Sequence, residues 1–423
     1  MKKYQLLIKG LILVLFVSSF SGCLKDSGTQ TYKLYRPVLQ KLSDVRSAVK
    51  IAAPTPIVVP GKIYVYGNSI FLVENGKGIH IIDNTNPVTP INKYFISIPG
   101  NYDIAVKGNT LYADCFTDLL AIDISNPANS SVQSFIPNLF PNRRNVKGYL
   151  IDSGYMPIAW IEKDTTIQIG LMEGQGIWRN GGFISPIFMD MMSLSNNSSA
   201  AKATNGTGGS MSSFAIVNQW LYTLSVNQLA SIHIIEPIKM VVNNKQPLSF
   251  VAETIYPFQD KLFVGSQTGM NIYSISSPSS PNYLSGFSHA RLCDPVIADN
   301  QYAYVTLRST ENVCGGNRNE LDVIDVSNIN NPTLVKVVSL VHPHGLSRDG
   351  NTLIICDGDA GLKIFDVSNP KNPVLIQTIE MAATYDVIAE NNIAIVSAKD
   401  GLYQFDYSKP SQTKLISKTS LSN

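Results

Sequence analysis

The sequence predicts an all-β fold: a seven-bladed β-propeller of four-stranded blades, with eight blades as the alternative. Three observations lead there. The 423 residues are 44% hydrophobic and 9% aromatic but only 15% charged, with 19 Tyr, 29 Gly and 23 Pro. That describes a chain with a large core, rich in strands and turns. A short apolar strand that ends on a polar residue then recurs: GIHIID at 78–83, LAID at 120–123, IHIIE at 232–236, GMNIYS at 269–274, LDVID at 321–325, GLKIFD at 361–366 and GLYQFD at 401–406. Finally, the aligned positions Asp83, Asp123, Glu236, Ser274, Asp325, Asp366 and Asp406 are spaced mostly near 40 residues, room for four short strands and their turns.

The N-terminus reads as an address. Lys2, Lys3 and Lys9 precede an apolar run, LILVLFVSSF at 11–20, that is too short to span a bilayer comfortably. Ser21 and Gly22 then precede Cys23, the pattern of a bacterial lipoprotein signal. Residues 1–22 are therefore expected to be removed and Cys23 to be lipidated, carrying palmitate-type acyl chains. Loss of three lysines takes the formal net charge from +2 to −1, so electrostatic attraction to anionic lipid headgroups is not expected. Leu24 follows the cysteine, which points to the outer membrane, on its periplasmic side or at the cell surface. Residues 23–55 are expected to be a tether, with a short helix over Val38–Val49.

Within the repeats, strands are bounded by Gly, Asn, Asp or Pro. Ser and Asn side chains satisfy turn backbone groups, Pro stops the strand, and the preceding Asp is expected to accept backbone N–H bonds. The step from Asp123 to Glu236 is 113 residues. The propeller is thus expected over 56–418 with an insertion at about 140–212. A polar, Gly/Ser/Asn-rich stretch at 189–210 reads as a mobile loop, and 148–162 is the place for an eighth blade.

The runs LDVIDVSN at 321–328 and LKIFDVSNP at 362–370, with the turn Asp349-Gly350-Asn351, resemble the LVIVD-repeat family of bacterial β-propeller lipoproteins. The resemblance implies a propeller over roughly 34–418. It carries no common activity.

Candidate chemistry sits where the innermost strands would ring an axial channel. Counting back six residues from the polar residue that opens each second strand gives Lys62, Asp103, Ser213, Thr254, Asp294, Gly345 and Asp386, with Glu253 and His344 adjacent. Asp103, Asp294, Asp386, His344 and Glu253 form a possible ligand or ion site at the channel mouth, suited to a divalent cation or a polyhydroxylated ligand. The opposing expectation is that these acids bond the backbone of the next blade and staple the ring. Cys293 and Cys314 fall in one repeat and are a possible disulfide. No zinc-type spacing, P-loop or nucleophile elbow is present, so no catalytic residue is assigned. With 33 basic against 31 acidic residues and no basic run, a nucleic-acid partner is not expected. The reading is a lipid-anchored envelope propeller that binds a protein or glycan or serves as a scaffold. The alternatives are a hydrolase or lyase acting on glycans, or a metal-dependent binder.

Overall fold

A computed structural model describes residues 28–143, 151–169, 206–289, 295–309 and 318–421. The signal segment, Cys23, the Cys293–Cys314 pair and Asp294 lie outside the described residues. Within them the chain forms two compact units. The smaller contains most of a two-stranded sheet made by Gly28–Lys41 and Tyr155–Ile169. Residues 157–162, weighed above as part of an eighth blade, thus belong to this sheet.

The larger unit is the propeller, and it has seven blades. Each is a meander of four consecutive antiparallel strands, a to d: blade 1 at 60–97, blade 2 at 104–136, blade 3 at 214–247, blade 4 at 252–288, blade 5 at 296–339, blade 6 at 346–379 and blade 7 at 384–420. The a strands of successive blades pack on one another, and blade 7 returns to blade 1, so the a strands ring the axis. The sheet of blade 1 gains two further strands. Lys50–Ala52 covers its outer edge and Thr207–Gly208 its inner edge. Covering an edge protects it from pairing with other chains. Ahead of Lys50 a six-residue helix, Leu42–Ser47, buries Val45 and places the Arg46 guanidinium on Asp118 at 2.6 Å. It occupies the middle of the helix expected over 38–49; the residues before it are strand, as β-branched and aromatic positions favour.

The repeat has visible physical causes. The second-strand residues Phe71, Tyr112, Tyr222, Phe263 and Tyr304, with Ile354 and Ile395, occupy one ladder position in the seven blades and are buried. They fill the space between neighbouring sheets. Every c–d pairing carries a one-residue register shift at the same place, for example between Ile81 and Ile82 or between Gln404 and Phe405. Such bulges twist the outer strand away from the flat geometry that would invite edge pairing. In the turn after strand c, the carboxylates of Asp83, Asp123, Asp325, Asp366 and Asp406 each accept the N–H two residues on, as expected. In blade 3 the equivalent residue is His233, which pairs with Val241, and not Glu236. No acid occupies that ladder position, so the sequence alignment slid to the next one.

Because every blade is made of consecutive strands, no strand is shared across the junction of blades 7 and 1. The seam is closed by side chains. Ile63, Ile70, Leu72 and Ile82 pack with Ile388, Ile395 and Leu402. Buried Gln404 and half-buried Asn84 exchange reciprocal amide hydrogen bonds of 2.7 and 3.0 Å, and Ser417 donates to the Pro87 carbonyl at 2.6 Å. Gln404→Ala strands the Asn84 amide, and we expect it to cost about 1–3 kcal/mol. Hydrogen exchange should then accelerate first in strands 60–66 and 384–390, whereas uniform acceleration around the ring would contradict a seam.

Candidate functional site

Of the acids expected at the channel mouth, Asp103, Glu253 and Asp386 come from strand a or the residue before it. In blade 2, the Asp103 carboxylate accepts from Lys62 Nζ at 2.6 Å, Ser212 Oγ at 2.9 Å, Ser213 Oγ at 2.7 Å, the Ser213 N–H and the Ile104 N–H at 2.8 Å. In blade 7, Asp386 accepts from the Ile63 N–H at 3.3 Å and the Val387 N–H at 2.9 Å. Both are buried. Asp103 therefore reaches Ser213, the matching position of blade 3, and Asp386 reaches Ile63, one residue past the matching Lys62 of blade 1, so each links neighbouring a strands.

A second set of carboxylates does related work within blades. Glu74 accepts from the Val58 and Val59 N–H groups, Asp114 from those of Tyr102 and Asp103, and Asp357 from those of Val341 and His342. Each lies within one residue of the end of strand b and holds the chain as it approaches strand a. Burial works to raise the Glu74 pKa, but the bonds from His80, Val58, Val59 and Lys77 outweigh it and hold the group down at about 2.

Burial acts differently on Asp386. It pushes this carboxyl up to about 7, against the Ile63 and Val387 N–H groups and the Lys62 charge, and the Asp103 charge pushes the same way. Burial also drives the His344 imidazole well below its ordinary value, helped by the charge of Arg308 and by His342. The His344 ring stands 5.5 Å from that of His342 and 5.8 Å from that of Tyr385, and its Nδ1 has no hydrogen-bond partner.

The structure divides the four described candidates over two ring positions. Asp103 and Asp386 share one with Lys62, Ser213, Thr254 and Gly345. In blade 5 that place belongs to Pro295, whose carbonyl accepts the Thr306 N–H as the carbonyls of Asp103, Ser213 and Gly345 accept theirs. The sequence count was one residue early because the turn of blade 5 is longer: Asp299 caps both Gln301 and Tyr302 there. Glu253 and His344 stand one residue before the ring, and Asp294, which precedes Pro295 in the sequence, lies outside the described residues. Among the described residues no group of three or more His, Cys, Asp or Glu is arranged to hold a metal ion.

The channel itself is occupied by the chain. Residues 206–213 leave the insertion and touch the a strands of five blades. Thr207 and Gly208 pair with Val65 and Tyr64 of blade 1. The Gly206 N–H donates to the Val106 carbonyl of blade 2 and the Gly209 N–H to the Ile63 carbonyl. The Ile255 N–H of blade 4 donates to the Ser212 carbonyl, and the Leu346 N–H of blade 6 to Ser210 Oγ. At blade 7, a Cβ on Gly209 would overlap the Asp386 carboxylate, and one on Gly345 would come within 2.8 Å of it, so both positions require glycine. Only an axial segment can meet inner strands on opposite sides of the ring. Of the stretch expected as a mobile loop, 189–205 lies outside the described residues, whereas 206–210 forms most of this plug. Nothing in its Gly/Ser composition distinguishes an axial strand from a linker, which is why sequence reasoning missed it.

Comparison with known proteins places the repeat. The LVIVD repeat model matches residues 100–134, 296–339 and 345–380, in blades 2, 5 and 6. No curated protein matches the chain. Among solved structures, the periplasmic gluconolactonase PpgL of Pseudomonas aeruginosa is similar at 11% identity and a TM-score of 0.51, over 86% of this chain and 96% of that one. BamB from Moraxella catarrhalis is similar at 8% identity and a TM-score of 0.46, over 88% and 99%. A functionally unknown protein from Desulfotomaculum acetoxidans gives 11% and 0.47, over 85% and 95%. At these identities the likeness is one of fold.

Proposed function

The chain is a seven-bladed LVIVD-repeat propeller, and from that premise we propose that it is a binding or scaffolding module of the cell envelope, anchored through lipidated Cys23. One observation carries the reading. The residue at one ladder position of strand d, opposite Ile122, Tyr273, Ile324, Phe365 and Phe405, is an exposed apolar side chain: Val132, Tyr283, Leu334, Leu375 and Leu415. Four of these lie on consecutive blades, 4 to 7, and Leu415 is 55% exposed. A stability argument gives no reason to repeat an exposed apolar residue at one register; a rim that meets a partner surface does. Support for the envelope comes from the apolar run and Cys23 of the sequence.

The test has two parts. Cys23→Ser should shift the protein from the membrane to the soluble fraction and remove the acyl mass from its N-terminal peptide. The triple variant Leu334→Glu, Leu375→Glu, Leu415→Glu should keep the wild-type melting temperature within about 2 °C, since exposed sites contribute little. In whole cells it should lose the cross-linked adduct that wild type forms through a photoreactive residue placed at Lys336. An adduct unchanged in the triple variant would dismiss the rim as the binding surface.

A further inference from the structure

We propose that the ribbon of Gly28–Lys41 and Tyr155–Ile169 has a membrane-facing side, which rests on the anionic surface of the bilayer that holds the acyl chains of Cys23. The proposal rests on the anchoring part of the reading above and gives that anchor a second, non-covalent contact.

Side chains alternate between the two sides of a strand, so those of the ribbon sort into two faces. Two contacts fix which residues share a face. The Lys33 ammonium pairs with the Glu162 carboxylate, and the Tyr35 hydroxyl donates to the same group. Lys33, Tyr35, Glu162 and Asp164 therefore stand on one side. The other side carries Leu34, Arg36 and Val38 from the first strand and Ala159, Ile161 and Lys163 from the second. Leu34 is 36% exposed and Ile161 58%; Arg36, Ala159 and Lys163 are exposed, and Val38 is half-buried. Both acids of the ribbon fall on the first side. The second joins apolar side chains to two cations, a composition that suits the interface of an anionic bilayer. The formal charge of the mature chain is −1, but that charge is spread over the whole molecule. Headgroups feel only the charges within a Debye length, about 8 Å at physiological salt.

Position decides the occupant. Gly28 follows Cys23 by five residues, so the ribbon starts at most about 18 Å from the acylated cysteine. A face tethered so near the anchor meets the bilayer at high effective concentration, and a weak contact suffices to seat it. The contact then sets how the ribbon lies on the bilayer, while the acyl chains supply the strength of anchoring.

The experiment uses the acylated protein, purified from membranes and reconstituted into vesicles of phosphatidylcholine with about 30% phosphatidylglycerol, an anionic surface. A photoreactive residue is placed at Ala159, or at Asp164 on the opposite side, and lipid adducts are quantified by mass spectrometry. Position 159 should give at least fivefold more lipid adduct than position 164. Arg36→Gln combined with Lys163→Gln should lower the adduct at 159 at least threefold, and vesicles of phosphatidylcholine alone should lower it by as much. Equal adduct from the two positions, adducts to a second copy of the protein in place of lipid, or indifference to the two cations would each overturn the proposal. The acyl mass on the N-terminal peptide is read in the same samples. Its absence would remove the anchor and this contact with it, whereas its presence with equal adducts would remove the ribbon contact alone.

Discussion

Replacing Asp103 by alanine is expected to lower the unfolding free energy by about 3–5 kcal/mol, the scale for breaking a buried ion pair on one side only. The Lys62 side chain is 11% exposed and that of Asp103 is 2% exposed. The variant leaves the Lys62 ammonium in the ring without its counter-charge. It also strands the Ser212 and Ser213 hydroxyls and the Ser213 and Ile104 N–H groups. Thermal unfolding should show a fall of roughly 5–10 °C. The companion variant separates pairing from packing. Asp103→Leu combined with Lys62→Met removes both charges at similar volume and should recover more than half of the loss, because a matched apolar pair escapes the cost of a lone buried charge. A single substitution costing under about 1 kcal/mol would show that Asp103 does not tie blades 1, 2 and 3 together.

The second large effect is in pH. Asp386 carries a folded-state pKa of about 7 against an ordinary 3.8, chiefly through burial. A carboxyl raised in this way binds its proton more tightly when folded. Its contribution to stability is complete below about pH 4 and is lost as pH rises through 7. The gap between those two values is worth on the order of 4 kcal/mol. Asp386→Asn, which keeps the shape and stays neutral, should remove most of this slope. A smaller decline should persist from Asp322, raised to about 6 by burial and by Glu320. Chemical denaturation at intervals from pH 4.5 to 8.5 measures it. A wild-type curve that rises over this interval, or an asparagine variant with the wild-type slope, would refute the assignment. At the acid end the sign reverses: Glu74, held at about 2, contributes stability that disappears as pH falls from about 4.5 toward 2.

How far the sequence could be read follows from what repeats. The seven blades were legible because each contributes its own apolar strand, and five of them a turn acid, at a near-constant interval, and the physics behind each is local. Asp83, Asp366 and Asp406 cap their turns with bonds that span two residues, so any one copy reveals them. Failures came where a copy departs from the pattern. In blade 3, His233 stands where an acid was sought, and in blade 5 the longer turn at Asp299 shifted the ring position from Asp294 to Pro295. The candidate acids were legible as residue types at recurring positions. Their partners were not. Ser212 and Ser213 reach Asp103 across 109 and 110 residues, and Ile63 reaches Asp386 across 323. No periodicity encodes such a contact, and composition described the axial segment only as a linker.

The absence of a strand shared between the first and last blades has a consequence for how the molecule is made. Every ladder of the propeller joins strands from one stretch of some 30–45 residues, apart from the two short additions to blade 1. A chain delivered N-terminus first can therefore finish each blade as it emerges, without waiting for distant sequence. Bonds between blades wait for their later partner, and two sets among the described residues wait longest. The plug engages blades 4, 6 and 7 once those have been delivered, and the seam waits longest, since Gln404 and Ser417 meet Asn84 and Pro87 when all but the last few residues are out. Until then the growing arc keeps one raw apolar flank at each end, Ile63 with Ile70 on one and Ile395 with Leu402 on the other. Truncated or stalled chains should share that condition, which makes the joining of these two flanks the last step of assembly and the one most exposed to competition from neighbouring chains.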